Sequence, residues 1–79
     1  MKIHVHFFAQ AREVAQKSKE EIEVKDGTTV SGLIEILKSR VPTLRSVEFK
    51  IAVHNEYVDN DHQLCDGDEV AIIPPISGG

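Results

Sequence analysis

Apolar and polar positions alternate along Lys2–Phe8, with Ile3, Val5 and Phe7 on one side and His4, His6 and Phe8 on the other. A period of two is that of a half-buried strand. Ala9–Ser18 breaks the alternation with a run of helix formers, which predicts a short helical turn. Alternation resumes over Glu20–Val24, with Ile22 and Val24 facing inward, and Asp26-Gly27 then signals a turn. Thr28-Thr29 offers an N-cap hydroxyl to a helix over Val30–Arg40, where Val30, Leu33, Ile34, Leu37 and Val41 form one apolar stripe. Lys38 and Arg40 suit the negative pole of the helix dipole, and Pro42 forbids continuation. Gly32, in the first turn, costs about 1 kcal/mol relative to alanine, and close packing of the helix on a sheet would account for it.

After a connector at Pro42–Val47, a third strand is predicted over Phe49–His54, with Phe49, Ile51 and Val53 inward and Lys50, Ala52 and His54 outward. Asn55-Glu56 turns the chain, Tyr57-Val58 returns it briefly, and Leu64 is an apolar anchor ahead of the Asp66-Gly67-Asp68 turn. The last strand is Glu69–Ile73. One amphipathic helix requires one sheet to cover it. The simplest arrangement pairs the first strand with the last, in parallel, at the sheet centre, with antiparallel hairpins on either side. That is an α+β fold, a β-grasp or ubiquitin-like roll with a mixed sheet packed on one main helix.

At 79 residues the chain is expected to be one domain, residues 1–73, followed by an extended tail, residues 74–79. Thirteen acidic and nine basic residues give a net charge of −4, and no basic cluster points to nucleic acid. No apolar run is long enough for a membrane span, and no signal peptide is read at Met1-Lys2-Ile3. The single cysteine, Cys65, excludes an internal disulfide and suits a cytoplasmic setting.

The tail, Pro74-Pro75-Ile76-Ser77-Gly78-Gly79, holds the most specific chemistry. Prolines stiffen its departure from the last strand. Glycines pass through channels too narrow for a Cβ. Six extended residues span roughly 20 Å, enough to carry the Gly79 carboxylate into another protein's active site. Once adenylated, such a carboxylate accepts sulfur, an amine or a thiol. Other candidates are weaker. His4 and His6 share a strand face but have no third metal ligand nearby in sequence, so no metal site is assigned. His54 and His62 fall in turns and read as solvent contacts. Cys65 lacks a Cys-His signature and reads as a small hydrophobe. Asp59, Asp61, Asp66 and Asp68 read as turn formers. Phe8, Ala52, Tyr57, Ala71 and Ile73 all project outward by strand parity, which suggests an apolar docking face at the root of the tail.

Phe7-Phe8-Ala9-Gln10-Ala11-Arg12-Glu13, Ile51-Ala52-Val53 with Asn55-Glu56-Tyr57-Val58, and Asp66-Gly67-Asp68-Glu69-Val70-Ala71 leading into the Pro-Pro…Gly-Gly tail together resemble the small subunits of molybdopterin synthases, a family of ubiquitin-like sulfur carriers. The resemblance covers the full length and is most specific at the end. His54 departs from it, since asparagine more often follows the valine directly. The resemblance implies partner binding through Phe8, Tyr57 and Ile73, and insertion of Pro74, Pro75, Ile76, Ser77 and Gly78 into a partner's site. It also implies that an adenylating enzyme, using ATP and magnesium, activates Gly79, which becomes a thiocarboxylate. The carrier then docks on the large synthase subunit and donates sulfur to the cyclic pyranopterin monophosphate precursor, in an assembly of two small and two large subunits. The resemblance implies no cofactor bound to the carrier itself, and most catalytic side chains are expected in the large subunit. A thiamine-type sulfur carrier and a ubiquitin-like protein modifier are the alternatives.

Overall fold

The computed structural model describes residues 1–75; the expectations for Ile76, Ser77, Gly78 and Gly79 lie outside them. Strand β1 (Lys2–Phe7) leads into a short helix α1 (Ala9–Ala15), then β2 (Lys19–Glu23) and the main helix α2 (Val30–Arg40). A 3₁₀ turn at Pro42–Ser46 connects to β3 (Lys50–Val53), β4 (Glu56–Tyr57) and β5 (Glu69–Ile73). The five strands form one sheet in the order β2-β1-β5-β3-β4. β1 and β5 pair in parallel, with Val5 opposite Val70 and Phe7 opposite Ile72. β2 flanks β1 antiparallel, and β3 flanks β5 antiparallel with β4 beyond it. This is the expected β-grasp arrangement.

The inward positions of the sheet close on α2. Ile3, Val5, Phe7, Ile22, Ile51, Val53, Val70 and Ile72 are buried together with Val30, Leu33 and Leu37 of the helix. Ile34 and Val41, at the margins of the stripe, pack against that core while half-buried. Thr29 caps α2 by accepting the Gly32 N–H at 3.3 Å. A Cβ at Gly32 would lie 3.2 Å from Cγ2 of Thr28 and 3.8 Å from Oγ1 of Thr29. The crowding at this glycine therefore comes from the capping residues and not, as expected, from the sheet.

One turn differs from its expected form, and another has a backbone that the sequence did not signal. The β3–β4 connection is made by His54 and Asn55, one residue earlier than the Asn55-Glu56 turn expected. Both sit at positive φ, 51° and 68°, as a two-residue hairpin turn requires for its twist to match the strands. Histidine and asparagine tolerate this region better than most residues, so no glycine is needed. At the other corner, Ala9 adopts φ 49°, which swings the chain out of β1 and into α1. The carbonyl of Phe8 then accepts from Ala11 and Arg12 at 3.0 and 3.3 Å.

Candidate functional site

The tail leaves from a strand held on both sides. Ile73 is the last residue of β5 and lies opposite Lys50 of β3. On the β1 side, the Phe8 N–H donates to the Ile72 carbonyl at 3.2 Å. Pro74 is buried and Pro75 is exposed, so packing against the domain continues one residue past the strand. Pro74 is thus fixed against the sheet centre, and a proline cannot resume pairing.

Around that root the outward face of the sheet is apolar. Register places His6, Ala71, Ala52 and Tyr57 in one row across β1, β5, β3 and β4. Phe8 and Tyr57 are the exposed large hydrophobic residues of the described chain, at 48% and 66%, while Ile73 is half-buried. Ala52 departs from expectation. It faces outward by parity yet is only 4% exposed, because its methyl group sits between the row neighbours Tyr57 and Ala71. It forms the floor of the face; Phe8, Tyr57 and Ile73 form its raised parts. Lys50 lies beside them, its Nζ 5.7 Å from the centre of the Tyr57 ring.

The opposite end of the same face is polar. His4 Nδ1 is 3.5 Å from Glu21, His6 Nε2 is hydrogen-bonded to Glu69, and His54 Nε2 lies 2.9 Å from Oδ1 of Asp68. The hydrogen bond from His6 is the main reason the Glu69 carboxyl is held below its ordinary range; modest desolvation opposes it, and the charges of His4, His6 and His54 add to it. For Asp68, burial pushes the carboxyl up, but the Cys65 N–H and His54 outweigh it and leave the group below its usual value. Asp68 is 7% exposed, and its second oxygen accepts the Cys65 N–H at 2.8 Å.

Phe8 and Tyr57 are exposed on the outward face of the sheet and Ile73, half-buried, immediately precedes Pro74. His54 is exposed but joined to Asp68, and so is more than a solvent contact. Asp68 does more than form a turn, since it ties the Cys65–Asp68 turn to the β3–β4 hairpin. Cys65 is exposed and does not serve as a buried small hydrophobe, because it opens a turn whose residues 65–67 are all exposed. No group of three or more His, Cys, Asp or Glu side chains placed to hold a metal occurs among the described residues. Sequence reasoning passed over Lys50 and the His54–Asp68 contact. Both depend on strand register, and only the outward parity of Lys50 gave a signal.

The ThiS family model matches residues 5–79. The chain belongs to the ThiS family. Among ThiS-family relatives and their structural neighbours, the molybdopterin synthase sulfur carrier subunit of Drosophila erecta is 43% identical, over 98% of this chain and 90% of that one. A Pyrococcus furiosus structure described as a molybdopterin converting factor, subunit 1, superposes with a TM-score of 0.91 at 35% identity, covering 96% of this chain and 99% of its own. SAMP1 from Haloferax volcanii superposes at 0.89 with 25% identity over the whole of both chains. Among the described residues, no helix is long and apolar enough to cross a membrane.

Proposed function

We propose that this ThiS-family chain is the sulfur carrier subunit of a molybdopterin synthase and works in the cytoplasm. The observation that carries the reading is identity of 43% to such a subunit over 98% of this chain. The rigid root beneath the Pro74-Pro75 stalk gives it a physical basis. In the proposed cycle, an oxygen of the Gly79 carboxylate attacks the α-phosphorus of ATP on a separate adenylating enzyme that holds the magnesium, and pyrophosphate leaves. A sulfide-level nucleophile adds at the acyl carbon and AMP departs, leaving a thiocarboxylate. On the large subunit, that sulfur bonds to a carbon of the cyclic pyranopterin precursor and the oxygen that carbon carried is displaced, leaving as water after protonation. Water then cleaves the acyl–sulfur bond, returning the carboxylate and leaving sulfur on the pterin; two such transfers build a dithiolene. The carrier contributes the acyl group, the reach and the docking face, and the large subunit contributes most of the catalytic side chains.

A second reading, a ubiquitin-like modifier, is favoured by the likeness to SAMP1 of Haloferax volcanii, a small archaeal modifier protein. Intact mass of the chain isolated from cells separates the two. Exchange of one oxygen for sulfur at Gly79 is the expected result. Lysine-linked peptides branched at Gly-Gly, with no thiocarboxylate, would replace the carrier reading with the modifier reading. A thiocarboxylate that restores thiamine synthesis but not molybdopterin would move the chain to the thiamine-type carriers.

A further inference from the structure

On the outward face, Lys50 stands directly opposite Ile73, the last strand residue before the tail. Its ammonium is held 5.7 Å from the Tyr57 ring centre. Among the described residues no carboxylate lies within ion-pair distance of it; Arg12, Lys19, Lys25, Lys38 and Arg45 share that property, and what sets Lys50 apart is its place opposite Ile73. A cation over an aromatic face is restrained by the ring quadrupole yet keeps its outer hydrogens free to donate. The chain as a whole is acidic, at −4. The charge at the tail root therefore runs against the charge of the molecule, at the edge of an otherwise apolar patch. A positive charge there is left for something outside the chain. The far end of the same face, with Glu21, Glu69 and Asp68, has the opposite character, so the face is electrically polarised along β5.

We propose that Lys50 is a specificity-determining residue. It pairs with a carboxylate on the large synthase subunit, at the mouth through which the tail enters, and so fixes the orientation in which the carrier docks. This rests on the sulfur-carrier reading above. A charge pair at an interface rim acts mainly on encounter rate and on rejection of wrong partners, and screening by salt is its signature.

The test uses the 79-residue chain and the purified large subunit. A zero-length carbodiimide crosslink should join Lys50 to an Asp or Glu of the large subunit. Lys50→Glu should slow association roughly tenfold at low salt, with the gap closing at high salt. Lys50→Met, which keeps the stem over Tyr57, should fall between. Thermal unfolding should be unchanged for both, since Lys50 is exposed. If Lys50→Glu associates as fast as the unaltered chain, or crosslinks form only at other lysines, the proposal is overturned while the sulfur-carrier reading stands. If the unaltered chain does not bind the large subunit at all, the sulfur-carrier reading falls and takes this proposal with it.

Discussion

The two ends of β5 are built on opposite rules. At its start, backbone and side-chain polar groups are paired with one another. Asp68 is bonded to Cys65 and His54, the His54 N–H donates to the Glu69 carbonyl at 3.0 Å, and Asp66 accepts the Lys2 N–H at 2.7 Å. At its end, Phe8 and Tyr57 are left in water and Lys50 faces outward with an aromatic ring as its neighbour. The first end spends its chemistry inside the molecule. If the second serves the docking role proposed for it, stability and function are largely separated along one strand of five residues.

The sharpest test is at the tail. Deleting Gly79, or replacing Gly78 with valine, should abolish sulfur transfer and leave denaturant unfolding unchanged. A 1 Å displacement of a reacting atom can already cost on the order of 100-fold, and losing a residue shortens the reach by roughly 3.5 Å. A normal rate from the Gly79 deletion, in an assay with activating enzyme, ATP, sulfide, large subunit and pterin precursor, would mean the sulfur rides elsewhere. Leu37 belongs to the core that both ends share and is fully buried. Leu37→Ala should destabilise by about 2–5 kcal/mol, read by urea unfolding, with undiminished transfer per folded molecule.

Asp68→Ala tests the polar end. It removes an acceptor from Cys65 and His54, and loss of a hydrogen-bonded charged group of this kind costs about 1.5–3 kcal/mol. Partner binding by the folded protein should not change; if it does, the two ends are coupled and the division along β5 fails. The same carboxylate gives a pH signature. Its folded pKa lies below the ordinary 3.8, so its contribution is complete above that value. The contribution is lost as pH falls through the lowered folded value, and acid unfolding curves of wild type and Asp68→Ala should therefore converge below pH 3.8. The smallest effect is expected from Tyr57→Asp: roughly tenfold weaker binding to both the activating enzyme and the large subunit, with the thermal midpoint almost unmoved because the ring is exposed. Ile73→Asp should weaken binding too, but it is half-buried and should also lower stability. Undiminished binding by both variants would remove the apolar end from the interface.

The elements that bury a periodic face were legible before any coordinates. The stripe from Val30 to Val41 specified α2 to the residue, because a threonine cap and a proline stop bracket it. The alternation in β1 and β5 gave their facing and their pairing. What escaped depends on distance across the sheet. His54 and Asp68 are separated by 14 residues, and two polar residues in two turns share no period that would announce a bond. Ala52 was outward by parity, but an outward methyl group between larger neighbours is covered, and parity does not measure neighbours. The hairpin turn was misplaced by one residue because Asn55 is a turn former in either register. Phe8, Tyr57 and Ile73 stood out because an apolar residue on the outward side of a strand breaks the pattern, and the structure leaves Phe8 and Tyr57 exposed and Ile73 half-buried.

The parallel pairing of β1 with β5 also bears on how the chain comes into being. The strand that completes the sheet centre is the last one synthesised, and its neighbour in the sheet is the first. Closure over such a span makes for slow, non-local folding. A nascent chain that stops before Glu69 lacks the middle of its sheet, and Val5 and Phe7 lose the strand opposite them. Completion of β5 is thus a check on folding: translation that ends before Glu69 yields an unfolded product, while a chain that ends within the tail still has every strand of the sheet. Refolding rates of chains truncated on either side of β5 would measure how strict that check is.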